Sequence, residues 1–153
     1  MANIVFNVAR GRAVEFYNRI VSNDPANSAF VLVPIETTGL EADAVLIDKD
    51  DLAAVLSGAT NEQTTMGRKT LTNTELVALP APVDASDQYD VALPTVTWSA
   101  ATGNAISKML VCYDSDTTAG TDANILPVTM FDFAITPDGS DIQMTLGTFF
   151  RAG

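Results

Sequence analysis

The sequence predicts an α+β fold that is mainly β: a compact antiparallel β-sandwich or barrel-like domain with an N-terminal amphipathic helix and one or two short helices. Short apolar segments between Trp98 and Leu146 are separated by turns of Asp, Gly and Pro, which is typical of strands joined by tight connections. Near the N-terminus, apolar residues recur at the three- and four-residue intervals of a helix. A length of 153 residues suits one domain, which we expect to span residues 1–153.

The first predicted element is an amphipathic helix from Val8 to Ser22, within an N-terminal arm and helix covering residues 1–25. Asn7 is available as its N-cap and Asp24-Pro25 as its stop. The apolar residues at helical spacing are Ala9, Ala13, Phe16, Tyr17 and Ile20. The pattern therefore predicts a helix with one buried face.

This helix also holds the basic patch of the chain. Glu15 is accompanied there by three arginines, Arg10, Arg12 and Arg19, whereas residues 84–153 contain nine acids and two bases. Glu15 and Arg19 stand at i and i+4 in the favourable order. Arg10 and Arg12 would lie in the first turns, where the helix dipole disfavours positive charge. We expect them to be either solvated or compensated by an acidic partner surface.

Two strands and a second helix are predicted next. The apolar run from Phe30 to Ile35 is rich in β-branched residues, and Pro34 removes a backbone donor, which favours a strand near a sheet edge. Ala44 to Ile47 is a second strand candidate, and it leads into a short helix that ends near Gly58. Three aspartates at the start of this helix could be taken for a metal or acid cluster, but capping explains them, with Asp48 as N-cap ahead of Asp50 and Asp51.

Residues 59–90 are predicted to be an extended, exposed connection, draped over the domain or reaching a neighbour. Thr, Asn, Gln, Ala and Pro dominate its first thirty residues. Thr72 and Glu75 form a capping box that indicates one short helical segment.

Residues 91–150 form the predicted β-rich region. Ile106 to Tyr113 is apolar enough to be a central strand. The clearest predicted hairpin has two strands joined by a turn at residues 136–139. Each strand has one apolar face, formed by Phe131, Phe133 and Ile135 in the first and by Ile142, Met144 and Leu146 in the second. Ile125 to Met130 is a further strand, which Pro127 confines to an edge or to the first residues of a strand.

Composition and motifs argue against several functions. The chain has no histidine, so Ser-His-Asp and Cys-His arrangements cannot form. Cys112 is a single cysteine whose apolar neighbours predict core packing, and Trp98, the single tryptophan, is expected to pack in the core or against a sheet. The aspartates that follow Asp114 could be taken for a calcium loop of the EF-hand type. With Asp114 as position 1, that loop requires Gly at position 6 and Glu at position 12, where the chain has Ala119 and Ile125. Turn formation is therefore the better explanation of these aspartates. The many Asp and Glu residues mean that composition alone does not exclude a glycosidase, which needs two carboxylates. However, carboxylates that are abundant in turns are weak evidence for a catalytic site. We expect no catalytic residue, no cofactor and no metal.

Charge and hydropathy define the expected partners. The formal net charge of −11 would repel nucleic acid and anionic membranes, so we expect neither as a partner. The chain has no run of 18 apolar residues that could span a bilayer, and its first residues lack the pattern of a secretory signal.

Four segments carry a resemblance to a known group of proteins: Asn3-Ile4-Val5-Phe6-Asn7, Ser22-Asn23-Asp24-Pro25-Ala26-Asn27-Ser28, Asn61-Glu62-Gln63-Thr64-Thr65-Met66-Gly67-Arg68-Lys69 and Asp132-Phe133-Ala134-Ile135-Thr136-Pro137-Asp138-Gly139-Ser140-Asp141. With them, nearly the whole chain resembles small structural proteins of tailed bacteriophage virions. It is most similar to the head proteins that decorate or cement an icosahedral shell.

This resemblance implies a capsid decoration (cement) protein that binds the outside of the major capsid protein lattice as a homotrimer. The protein would be made in the host cytoplasm and reside on the exterior of the phage head. The charge asymmetry leads us to expect Arg10, Arg12 and Arg19 at the capsid interface. Alternative roles are another virion component, such as a head fibre base or head-to-tail connector, or a glycan-binding module that depends on Trp98 or Tyr113.

Overall fold

The computed structural model describes residues 3–85, 87 and 89–152. The predicted class is confirmed, since 31% of the chain is strand and 16% is helix. The helices are α1 (Ala13–Val21), α2 (Asp43–Leu46) and α3 (Leu52–Leu56). The strands are β1 (Ile4–Val5), β2 (Ala29–Glu36), β3 (Lys69–Leu71), β4 (Tyr89–Val91), β5 (Val96–Trp98), β6 (Ile106–Asp114), β7 (Leu126–Ile135), β8 (Ile142–Met144) and β9 (Phe150–Ala152).

An antiparallel five-stranded sheet organises the fold, with strand order β1-β7-β6-β2-β3. Over the described residues this sheet is open and does not close into a barrel. β6 lies at its centre, as predicted, and Leu32 of β2 stands opposite Val111 of β6. Two smaller sheets, β4-β9 and β5-β8, complete the β structure.

Both faces of the large sheet are buried, because successive side chains of a strand point to opposite faces. Phe30 and Leu32 of β2 belong to one hydrophobic cluster, which also contains the apolar face of α1 and Trp98. Val31 and Val33 belong to the other cluster, which contains apolar residues of α2 and α3. Burial on both faces explains why β2 is a continuous apolar run rather than an alternating one.

Pro34 is accommodated without placing β2 at the edge. Its carbonyl accepts from the Gln63 backbone N–H at 2.9 Å, so the side of Pro34 that lacks a donor faces away from β6. β3 pairs only with Phe30, Val31 and Leu32, and therefore ends before it reaches the proline. The prediction of a strand near the sheet edge is thus correct, with β3 outside it.

The N-terminal helix begins later than predicted. Asn7–Ala9 form a 3-10 turn, Gly11 adopts a φ of +76° that is incompatible with a right-handed helix, and α1 starts at Ala13. Asn7 does not cap α1, because the helix starts six residues later with Arg12 at its N-cap, and the Asn7 amide donates to the Asp48 carboxylate instead. Arg10 and Arg12 therefore both precede the helix rather than lying in its first turns.

The strand predicted at Ala44 to Ile47 is wrong, since these residues lie in and directly after α2. A four-residue apolar run does not distinguish strand from helix by periodicity. Capping of the next helix is confirmed, but by Asp51 instead of Asp48. The Asp51 carboxylate accepts from the Ala54 N–H at 2.7 Å.

The hairpin predicted from Phe131 to Leu146 is also wrong. β7 stays paired with β6, whereas β8 pairs with β5, so that Trp98 stands opposite Ile142. The intervening turn exists, since the Asp138 carboxylate accepts from the Ser140 N–H at 3.0 Å and Gly139 has a φ of +93°. It carries the chain from one sheet to another instead of reversing it. Pro127 occupies the second position of β7, consistent with a place among the first residues of a strand.

The connection predicted over residues 59–90 is exposed only in part. Residues 59–71 belong to the fold, because Gln63 is 1% exposed, Glu62 bridges Ile35, and β3 joins the sheet. Most residues from 72 to 87 are exposed, apart from 86, which lies outside the described part of the chain along with 88. The Thr72 N–H donates to Glu75 at 2.7 Å, as in a capping box, but only a turn follows. No described helix has the length and apolarity needed to cross a membrane.

Candidate functional site

The exposed side of α1 and the turn before it carry the residues that the sequence singled out. Phe16, Tyr17 and Ile20 are buried against the sheet, which leaves the arginines on the opposite side. We call Arg10, Arg12, Glu15 and Arg19 the arginine face. All four residues are exposed, and the Glu15 side chain retains 40% of its exposure.

Glu15 brings two of the three arginines together. Its carboxylate accepts from Nε of Arg12 at 3.1 Å and from Nε of Arg19 at 2.9 Å, and the second pair confirms the predicted i, i+4 contact. The hydrogen bond from Arg12 and then that from Arg19 lower the pKa of Glu15. Arg10 forms no ion pair with any residue that the structure describes. With three cations and one anion, the face keeps a positive charge.

A stack of aromatic rings supports this face from within. The Arg12 guanidinium lies 4.5 Å from the centre of the Phe16 ring, a cation–π distance, and the Phe16 ring stacks on Tyr113 with centroids 4.4 Å apart. Tyr113 belongs to the central strand β6, so Arg12 rests on a rigid support. Sequence reasoning missed this role of Tyr113. The four-residue spacing of Arg12 and Phe16 could have indicated their contact, but nothing local indicates that of Phe16 with Tyr113.

The Tyr113 hydroxyl lies beneath the arginine face. It is buried near Arg19 and has no well-aligned hydrogen-bond partner among the described residues. Burial raises the pKa of Tyr113, and the nearby charge of Arg19 acts in the opposite direction. The exposed guanidiniums of the arginine face are hydrogen-bond donors suited to carboxylates on a partner surface.

A second polar cluster, around Arg68, is internally satisfied. Arg68 donates to Glu62 at 2.8 and 2.6 Å and to Asp122 at 2.7 and 2.9 Å, and these hydrogen bonds raise its pKa. It lines a cavity of about 240 Å³ with the loop after β6. Because its charge is matched by two carboxylates, this arginine joins parts of the fold rather than presenting a free cation.

The aspartate-rich turns have the structural role predicted for them. Asp114 accepts from the Asp116 N–H at 3.0 Å, and Asp116 accepts from the Thr118 N–H at 3.0 Å. A search of the described residues finds no group of three His, Cys, Asp or Glu side chains that could hold a metal ion.

The predicted burial of Cys112 and Trp98 is confirmed. Cys112 is fully buried, and Trp98 is 2% exposed, with its indole N–H donating to the Gly67 carbonyl at 2.9 Å. Tyr113 is 4% exposed. Neither Trp98 nor Tyr113 presents the open aromatic surface on which the glycan-binding alternative depends.

Comparison of the chain with protein-family models, with curated proteins and with solved structures finds no match. The arginine face is a described surface whose charge is opposite to that of the chain as a whole.

Proposed function

We propose that this protein is a bacteriophage capsid decoration protein, which binds the outside of the assembled major capsid lattice as a homotrimer and stabilises the phage head. The observation that carries the proposal is the arginine face, a positively charged surface on a chain of net charge −11. Such a surface fits an acidic patch on a partner and orients the acidic remainder of the chain away from it. The sequence resemblance to phage head proteins supports the same role.

Stabilisation would follow from mass action. A ligand that binds only the assembled lattice stabilises it by about 2.7 kcal/mol per site when its concentration exceeds Kd by about a hundredfold. Repetition over many lattice sites multiplies this contribution. The acidic exterior would also keep coated particles dispersed.

The proposal is tested by measuring how much of this protein binds to purified shells. The shells are assembled from the cognate major capsid protein without this chain. We expect Arg10→Glu to lower the affinity about tenfold, and Arg10→Glu combined with Arg12→Glu to lower it further. Lys69→Glu is the matched control, because Lys69 also lacks an ion pair in the described structure but lies in β3. Unchanged occupancy for both arginine variants would contradict the proposal.

Removing the charge of the Glu15 carboxylate should change the affinity for the shells in the opposite direction. Glu15→Gln removes the negative charge shared by Arg12 and Arg19 and leaves both guanidiniums available to a partner. We expect it to raise affinity for the shells severalfold at low salt and to lose this advantage at high salt. The number of copies bound per shell distinguishes a decoration protein, with hundreds, from a connector, with about a dozen or fewer.

A further inference from the structure

Residues 77–83, which we call the apolar arm, form an exposed segment without a charged side chain. Val77 is 72% exposed and Val83 is 54% exposed, the two highest values among the large hydrophobic residues of the described chain. An exposed apolar segment of this kind marks a contact surface more often than an isolated exposed residue does.

The apolar arm is held in place on the body of the protein. Leu76, just before it, is 5% exposed, and Leu79 packs against the same hydrophobic cluster as α1. The Tyr17 hydroxyl donates to the Val77 carbonyl at 3.0 Å. Pro80 and Pro82 further restrict its backbone. Binding through a preformed ridge loses little conformational entropy.

A concave apolar surface lies elsewhere on the molecule. This apolar groove, of about 250 Å³, is lined mainly by Phe131, Phe133, Met144, Leu146 and Gly147. Its one charged lining residue is Asp132, which is ion-paired with Lys108 at 2.9 Å. The groove therefore accepts an uncharged segment without burying an unpaired charge.

We propose that the apolar arm of one copy docks into the apolar groove of a second copy. Two chains of net charge −11 repel each other, so a contact between copies adds no further repulsion when it forms through uncharged surfaces, and the arm and groove are such surfaces. A ridge is not complementary to itself but is complementary to a groove. The contact is therefore head-to-tail, the type that forms a closed ring when successive copies are related by a closing rotation. This inference rests on the homo-oligomer included in the proposed function and assigns the surfaces that form it.

The first test is the mass of the full chain in solution, measured by light scattering over a wide range of concentration. We expect a closed oligomer for the natural sequence and at least a tenfold weaker association for Val77→Asp, which places a carboxylate in the apolar groove. Gly147→Glu should weaken association equally from the other side, since a Cβ at this position meets no atom within 4 Å in its own chain. Val45→Asp is the matched control, with the same change in charge at a residue 48% exposed in α2.

A monomer at every concentration would overturn the proposal, and so would association that both Val77→Asp and Gly147→Glu leave unchanged. Circular dichroism of each variant verifies that the fold is retained. A monomer would also contradict the homotrimer of the proposed function, whereas association that both variants leave unchanged would contradict the arm-and-groove contact alone. Shell binding through Arg10 and Arg12 is measured separately and does not depend on either result.

Cysteine pairing tests the head-to-tail geometry. We expect Val77→Cys combined with Gly147→Cys to form disulfides between copies under mild oxidation, whereas each single variant should not. Cys112 does not compete, because it is fully buried. Efficient crosslinking of Val77→Cys alone would show that two arms meet each other, and would overturn the proposed contact.

Discussion

The guanidinium of Arg68 donates to both carboxylate oxygens of Asp122, at 2.7 and 2.9 Å. Arg68 directly precedes edge strand β3, whereas Asp122 begins the 3-10 turn between β6 and β7. The pair therefore ties the edge of the large sheet to a long loop. Glu62 holds the same guanidinium through two further hydrogen bonds.

Removing this tie should destabilise the fold. We expect Arg68→Ala to lower the free energy of unfolding by about 1–2 kcal/mol, because the Glu62 side chain, 13% exposed, then lacks its partner. The partial exposure of Arg68 and Asp122 keeps the expected cost at this modest level. Urea unfolding measures the difference. Lys69→Ala, one residue away and without an ion pair, should change stability by less than about 0.5 kcal/mol.

The same pair predicts a dependence on pH. The hydrogen bond from Arg68 lowers the pKa of Asp122 in the folded protein, so its stabilising effect is complete above the ordinary carboxyl pKa and is lost as the pH falls through the lowered value. The difference in unfolding free energy between the natural protein and Asp122→Asn should thus be largest near neutral pH and shrink below about pH 4. A difference that stays constant into strong acid would contradict this assignment.

Gly103 and Gln63 should be energetically coupled. Gly103 has a φ of +117°, and a Cβ there would overlap the Gln63 side-chain amide, which donates to the Thr102 carbonyl at 3.1 Å. We expect Gly103→Ala to cost about 2–4 kcal/mol from backbone strain and overlap. Gln63→Ala should also destabilise, but the double variant should cost less than the sum, because removing the amide relieves the overlap. Additive costs in urea unfolding would show that the overlap does not matter.

Loss of the hydroxyl should have opposite effects on stability at two tyrosines, Tyr113 and Tyr17. Tyr113→Phe removes a buried hydroxyl that has no well-aligned hydrogen-bond partner among the described residues, and it should be neutral or stabilise by up to about 1 kcal/mol. Tyr17→Phe removes the hydrogen bond to the Val77 carbonyl and should destabilise by about 0.5–1.5 kcal/mol. Thermal unfolding of the two variants tests the contrast, and an equal loss in both would refute it.

Cys112 should be unreactive in the folded protein. Its side chain is fully buried, and burial raises the pKa of its thiol, which suppresses the reactive thiolate. A thiol reagent should therefore modify it at the rate at which the protein opens, and rapidly in denaturing urea. Fast modification under native conditions would place Cys112 outside the core.

Features that depend on neighbouring residues were predictable. The Glu15–Arg19 pair follows from helical spacing, and the turns at Asp114 and Asp138 follow from side chains that bond backbone two residues away. The central position of β6 follows from its continuous apolar run. In each case the interacting groups lie within one local segment, or the residue types alone indicate burial.

Strand pairing was less predictable, because a strand's partner is selected by the whole sheet. The apolar faces around Phe131 and Ile142 are compatible with a hairpin. In the structure, however, the ten-residue β7 pairs along most of its length with β6, and the three-residue β8 pairs with β5. The turn between β7 and β8 is compatible with a hairpin and with pairing to different strands. The residues of the turn therefore could not predict which arrangement forms.

The sequence by itself determined the mainly β class, the acidic charge, the basic N-terminal patch and the burial of Cys112 and Trp98, because these depend on composition and short-range pattern. Only the tertiary structure decided that Phe16 stacks on Tyr113 beneath Arg12, that Arg68 joins Glu62 to Asp122, and that the apolar arm and groove are separate surfaces. These relationships join residues far apart in the chain. They form only when packing of the sheet and helices selects one arrangement among the many that the local patterns permit.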